Sequence, residues 1–125
     1  MIIDTDVLIW YLRGNASAKE EVETNIPFAI SAVTYIELVQ GMKDKTEFKK
    51  FQKQIKNWKT EILHIDQEIS ARAIFYVQEY FLSHSMKMAD ALIAATAIQA
   101  SDTLITANDK HYKYIPNIEI KKFIP

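Results

Sequence analysis

Short apolar runs alternate with helical segments along this chain, and that alternation constrains the fold more than any other feature. Ile2-Ile3, Phe28-Ala29-Ile30, Glu61-Ile62-Leu63-His64-Ile65 and Thr103-Leu104-Ile105 read as strands. A weaker fifth run, Ile118-Glu119-Ile120, lies near the end. Helical patterns fill the intervals between the first four. Thr5 or Asp6 is placed to cap the first helix, which ends at Gly14-Asn15, and a second short helix covers 16–24. Ser31 caps or precedes a third, over about 33–42. Phe48, Phe51, Ile55 and Trp58 recur at helical spacing on one face of a fourth, over 44–57. Asp66 opens a fifth that runs to about residue 81, with Ile69, Ala73, Tyr76, Val77 and Tyr80 inward. Residues 88–100 form an Ala-rich, strongly apolar sixth. Strands that alternate with helices in this way predict an α/β domain with a mostly parallel sheet of four to five strands.

With 125 residues, the chain has the length of one domain with a real core, here taken as 1–125. Two glycines and three prolines argue against a loop-rich all-β chain. The absence of cysteine excludes disulfides, thiolate metal sites and cysteine catalysis. No apolar run approaches a membrane span and no secretory signal is visible, so a cytoplasmic protein with no membrane partner is the expectation. A net charge of −1 gives no global attraction to nucleic acid, so any such binding must rest on local patches.

In an open parallel sheet, ligands bind beyond the C-terminal strand ends. That rule selects Asp4, Thr5, Asp6, Ser31, Thr106, Asn108 and Asp109 by location. Three acids resist the reading of a solvated helix face. Asp4 closes a strand expected to be central; its bland role is a helix cap. Glu37 interrupts Val33-Thr34-Tyr35-Ile36-Glu37-Leu38-Val39; its bland role is to point outward. Asp90 lies in Met88-Ala89-Asp90-Ala91-Leu92-Ile93-Ala94-Ala95, which is apolar nearly all round. Aspartate is a poor interior residue in helices, and a buried carboxylate is costly unless paired or metal-bound. Its bland role is a pair with Lys87 or a late cap. A right-handed parallel sheet brings all three elements to one edge. Three clustered carboxylates need a compensating cation. Oxygen donors suit Mg²⁺ or Mn²⁺, which points to metal-assisted hydrolysis of a phosphate ester.

The segments Ile2-Ile3-Asp4-Thr5-Asp6-Val7-Leu8-Ile9, Ser31-Ala32-Val33-Thr34-Tyr35-Ile36-Glu37-Leu38, Ala89-Asp90-Ala91-Leu92-Ile93-Ala94-Ala95-Thr96-Ala97 and Leu104-Ile105-Thr106-Ala107-Asn108-Asp109 resemble the four motifs of a PIN domain. The likeness is to toxin ribonucleases of the VapC type and covers essentially the whole chain. It implies an α/β/α sandwich and a Mg²⁺- or Mn²⁺-dependent endoribonuclease. It also implies frequent homodimers and inhibition by a co-encoded antitoxin. By resemblance Asp4, Glu37 and Asp90 are the core acids, and Thr106 is the hydroxyl that ends strand four. The family's fourth acid falls on Asn108, which brings no charge; Asp109 is a candidate substitute. Asp6 stands where many relatives have Asn or Ser, and is either an auxiliary to the metal or a helix cap.

Phosphodiester binding requires positive charge. Seven lysines lie between residues 43 and 59, among them Lys43, Lys49, Lys50 and Lys53. They form an RNA contact or simply a solvated helix face. Lys87 and Lys110 stand near motif ends. Trp10 and Tyr11 offer rings for base stacking, with core or partner packing the stronger expectation. His64, His84 and His111 share no ligand spacing. Two rival functions stay open. A phosphatase of the haloacid-dehalogenase type would use Asp4-Thr5-Asp6 as its D-x-D nucleophile. A non-catalytic binding module would use the acids to hold a structural cation or a partner's arginine.

Overall fold

The computed structural model describes residues 1–125. Five strands form one sheet: β1 (Ile2–Ile3), β2 (Ala29–Ser31), β3 (Glu61–Leu63), β4 (Leu104–Thr106) and β5 (Ile120–Lys122). Their spatial order is β3-β2-β1-β4-β5, and every neighbouring pair is parallel. Helices α1 (Thr5–Leu12), α2 (Ala16–Thr24), α3 (Ala32–Gln40), α4 (Lys45–Asn57), α5 (Gln67–Tyr80) and α6 (Met88–Ala100) supply the crossovers. No helix is long and apolar enough to cross a membrane.

Strand alternation divides the core in two. Ile2 and Leu104 face one layer with Ile69, Ala73, Tyr76, Ile93, Ala94, Ala97 and Tyr112, beneath α5 and α6. Ile3, Ile30 and Ile105 face the other with Val7, Leu8, Val22, Phe51 and Trp58, from α1, α2 and α4. The result is three layers, helix on sheet on helix. The apolar perimeter of α6 follows from this position: Ala91, Ile93, Ala94, Ala95, Thr96 and Ala97 are all buried. By contrast, α4 is amphipathic, with Phe51 buried and Lys49, Lys50 and Lys53 in solvent.

Helix starts follow the capping residues. Asn15 accepts from the Ala18 N–H, Ser31 from Val33, Asp44 from Glu47 and Asp66 from Ile69. The cap of α1 is the alternative role that the sequence offered for Asp4. Asp4 holds that place, at φ −73° and ψ 157°, and not Thr5 or Asp6. Two residues suffice for β1, so the strand ends one residue before its carboxylate.

Other boundaries move as well. α3 stops at Gln40, where Gly41 is the C-cap. β3 spans three residues, not five. β4 includes Thr106, because its carbonyl accepts the Phe123 N–H at 2.7 Å. β5 lies two residues later than expected, since Asn117 turns the chain at φ 67° and the register then pairs Thr106 with Lys122.

The sheet order sets the position of the site. From β1 the chain moves outward through β2 to β3, then returns across the sheet to β4 on the other side of β1. The crossovers therefore diverge between β1 and β4, and a crevice opens beyond their C-terminal ends. Asp4 and Thr106 stand at those ends.

Candidate active site

Asp4 is held rigidly, because Ile2 and Ile3 are fully buried and the carboxylate itself is only 5% exposed. Its Oδ1 accepts the Thr5 N–H at 2.8 Å. Its Oδ2 accepts the Thr106 hydroxyl at 2.9 Å and the Tyr112 hydroxyl at 3.0 Å. Burial, and next the charge of Asp6, push its pKa up to about 7 against those three hydrogen bonds.

Thr106 is oriented from both sides: its hydroxyl donates to a carboxylate, and its oxygen accepts the Asn108 N–H at 3.0 Å. Asp6 closes the same end of β4 onto α1. Its Oδ1 accepts from Val7 N–H at 2.8 Å. Its Oδ2 accepts from Ala107 N–H at 2.9 Å and from the Asn108 side-chain amide at 3.0 Å, with Thr106 Oγ1 at 3.3 Å. Burial raises the pKa of Asp6, opposed by these hydrogen bonds.

Asp90 arrives in the first turn of α6, where the helix N-terminus favours a negative charge. The Tyr112 hydroxyl lies 3.3 Å from its Oδ1, and His111 Nδ1 lies 3.6 Å from its Oδ2. A phenol carries one proton and cannot donate to two carboxylates at once. The nearer of the two acceptors is Asp4 Oδ2 at 3.0 Å, and the longer contact at 3.3 Å is the one to Asp90. Tyr112 is 1% exposed, and burial, with the charges of Asp4 and Asp90 behind it, drives its own pKa far up.

Glu37 joins from α3 through Thr5. The Thr5 hydroxyl contacts Glu37 Oε1 at 2.7 Å and Thr34 Oγ1 at 3.0 Å, while its N–H binds Asp4. Asp4, Asp6 and Asp90 are thus gathered by Thr106 and Tyr112, with Glu37 one residue removed.

None of these four acids is paired with lysine or arginine. The ion pairs of the chain are Met1–Asp102, His111–Asp90, Lys121–Glu21 and Lys122–Asp109. The bland pairing of Asp90 with Lys87 is therefore not made. The donors are oxygen-only, with Asp4 buried and Asp6, Glu37 and Asp90 half-buried, and none has a lysine or arginine counter-charge, which fits a hard divalent cation. As the side chains stand, however, no three acidic groups surround one point closely enough to hold an ion. Asp4 and Asp90 converge on the Tyr112 hydroxyl instead, a correction to the expectation of three carboxylates packed directly together.

Asp109, the candidate substitute for the missing fourth acid, has a lysine partner. It begins a 3₁₀ turn (Asp109–His111) and faces Lys122 at 3.7 Å. Asn108 turns to Asp6, so the additional charge in the crevice belongs to Asp6. The lysine run also lies elsewhere. Lys53 lines an open cleft of about 920 Å³ with Lys56, Lys59, Tyr35 and Ile62, and none of the four acids borders it. Lys43, Lys49 and Lys50 are exposed along or just before α4. Lys87 and Lys110 are exposed beside Asp90, immediately before α6 and within the 3₁₀ turn. Trp10 and Tyr11 serve packing: Tyr11 meets Trp58 edge-on at 5.0 Å and receives a hydrogen bond from Gln54, while Arg13 covers Trp10.

Tyr112 is the central residue that sequence reasoning missed. It sits in Asp109-Lys110-His111-Tyr112-Lys113, whose polar look hides a buried ring. A large aromatic nine residues after the Thr103-Leu104-Ile105 run began is the signal it leaves.

The PIN domain family model matches residues 1–117. Ribonuclease VapC10 of Mycobacterium tuberculosis is 29% identical over 129 residues, spanning 100% of this chain and 95% of that protein. A toxin–antitoxin complex from Klebsiella pneumoniae contains a chain 31% identical, superposing with a TM-score of 0.74 over 94% of this chain and 93% of that one. VapBC-1 of nontypeable Haemophilus influenzae, at 18% identity, shares the fold with a TM-score of 0.78, covering 97% and 96%.

Proposed function

This chain belongs to the PIN domain family, and from that membership we propose that it is a divalent-cation-dependent endoribonuclease of the VapC toxin type, cutting RNA phosphodiester bonds in the cytoplasm. The observation that carries the reading is the crevice between β1 and β4, where Asp4, Asp90 and Glu37 stand without a lysine or arginine partner. Asp4, Asp90 and Glu37 would hold Mg²⁺ or Mn²⁺, with Asp6 as the auxiliary charge. A cation bound there supplies Lewis-acid stabilisation of a phosphate and a more acidic water.

The chain's own residues prepare that site. Thr5 and Thr106 fix both oxygens of Asp4, so the carboxylate need not reorganise when a ligand arrives. Tyr112 sets the spacing of Asp4 and Asp90 from beneath. Ile3, Ile105 and Ala91, the chain neighbours of Asp4, Thr106 and Asp90, are fully buried and anchor those three residues in the core.

The phosphatase alternative loses support here. Asp6 accepts hydrogen bonds from Val7, Ala107 and Asn108 at both oxygens, so it stands as an acceptor and not as a proton donor aimed at a leaving group. The relatives include toxin–antitoxin complexes, which supports a cognate antitoxin as partner. An apolar surface of Ile74, Phe75, Phe81, Leu82 and Met88, each more than half exposed, supports a homodimer.

Two results test the reading. Purified protein will cleave cellular RNA with Mg²⁺ or Mn²⁺, lose that activity in a chelator, and regain it on adding the cation back. Cleavage that persists in the chelator, or release of phosphate from phosphomonoesters instead, overturns it. The second result concerns the transposed acid. The hydrogen bond between Asp6 and Asn108 puts the charge on the partner opposite to the family pattern. Asp6→Asn will reduce cleavage by about 10- to 100-fold, the usual cost of losing an outer ligand. Adding Asn108→Asp will return most of it. A double variant no better than the single one shows that the charge cannot cross that bond.

A further inference from the structure

His84 is exposed, yet its ring is held in place. It stacks on Tyr114 with centroids 3.8 Å apart and planes 17° from parallel. Tyr80 buttresses the pair from the side, 4.8 Å from Tyr114 and 5.7 Å from His84, edge-on to both. Ser83 Oγ lies 2.7 Å from His84 Nδ1, and the His84 N–H donates to the Tyr80 carbonyl at 3.0 Å. One face of the imidazole is covered by Tyr114, and the exposed residue turns the other to solvent. Nothing in the candidate active site requires this arrangement.

Its place in the chain is the second observation. His84 lies in the link from α5 to α6, four residues before the helix that carries Asp90. Tyr114 lies two residues past Tyr112, whose hydroxyl touches Asp4 and Asp90, and three past His111, which also reaches Asp90. The stretch from His111 to Tyr114 thus runs from direct contact with Asp90 to the face of the His84 ring. Lys87, Lys110 and Lys113 are exposed around this edge, and none forms an ion pair. Flat, ordered rings fringed by lysines beside a carboxylate crevice match what an unpaired nucleotide needs: a π face for the base and cations for the phosphates.

We propose that the His84–Tyr114 stack is a base-stacking subsite for single-stranded RNA, seating a nucleotide next to the scissile phosphate. The subsite rests on the ribonuclease reading given above. It selects unpaired RNA, because a base inside a duplex has no free face to offer, and it tolerates any of the four bases, because every base has a π face.

The test scans a fluorescein-labelled 12-nucleotide RNA in which single positions are made abasic. Cleavage in Mn²⁺ is followed for the wild-type chain, His84→Ala, His84→Leu and His84→Phe. In the wild type, one abasic position near the cut will raise KM by about 5- to 150-fold, the range for losing one stacked base. His84→Ala will raise KM for the intact RNA by a similar factor and become indifferent to that abasic position. His84→Leu, which keeps packing on Tyr114 without a π face, will behave as the alanine variant. His84→Phe will restore both affinity and the abasic penalty. A merely structural ring would not couple the variant to one position of the RNA, so equal abasic profiles in wild type and His84→Ala overturn the subsite. If the wild-type chain cuts no RNA at all, the ribonuclease reading fails first and the subsite with it.

Discussion

Asp90→Asn and Asp4→Asn will each reduce cation-dependent RNA cleavage by about 10³-fold or more, since each removes several kcal/mol of charge stabilisation from the reacting phosphate. Both variants will fold. Asparagine at position 4 is a favoured N-cap and keeps one of the two accepting oxygens, so only part of the hydrogen bonding from Thr5, Thr106 and Tyr112 is lost, and Asp90 is a first-turn residue of a helix whose burial rests on Ile93, Ala94 and Ala97. The losses will be far from additive in the double variant, because the two carboxylates serve one unit around Tyr112. Circular dichroism and RNA cleavage on the same preparations decide the matter. Full activity in both folded variants would remove these acids from the reaction.

A second large effect concerns stability without the cation. Burial and the charge of Asp6 raise the pKa of Asp4 from 3.8 to about 7. Between pH 4 and 7 the folded chain therefore keeps a proton that the unfolded chain has released. Stability is fullest below the unfolded value and falls as pH rises through this window, by up to about 4 kcal/mol. In EDTA the melting temperature will drop from pH 5 to pH 8. Asp4→Asn will lose most of that slope and will melt above the wild type at pH 8. Adding Mn²⁺ at pH 8 will raise the wild-type melting point, because the cation binds the folded, ionised form. A melting temperature that is flat or rising over this range in EDTA would show that Asp4 does not carry its proton into the folded state.

The two effects oppose each other, and that opposition is informative. Asp4 costs stability at neutral pH in the metal-free chain, yet it is fixed by three hydrogen bonds. A residue serving only as the cap of α1 would do better as serine or asparagine.

Much of the architecture was legible because the periodicities were clean. The amphipathic α4 and the all-apolar α6 were readable from their residues alone, and the parallel sheet followed from the alternation. Asp90 was conspicuous for one physical reason: a carboxylate in an alanine-rich helix violates both propensity and burial. Asp4 gave itself away by ending an apolar run. The remainder was hidden by contacts that act over long separations. β5 slipped by two residues because its register is set by Thr106 and by the turn at Asn117, which local hydropathy does not encode. Asp109 and Asp6 looked interchangeable as spare acids. Only the position of Lys122 on β5 and the amide of Asn108 assign them different partners. Tyr112 stayed invisible because a ring in a run of charged residues carries no periodic signal.

The contacts that assemble the crevice also have a history in the making of the chain. Thr106 meets Asp4 across 102 residues of sequence and Tyr112 meets it across 108. During synthesis the N-terminal part emerges and begins to fold first. Asp4 must then wait, as a strand end with unfilled hydrogen bonds, until residues 106 and 112 have left the ribosome. A nascent chain that stops short of residue 106 has the Thr5 link between Asp4 and Glu37 but lacks the Thr106 and Tyr112 hydroxyls, the second of which joins Asp4 to Asp90. On the ribonuclease reading proposed above, the crevice is in this way incomplete until late in synthesis.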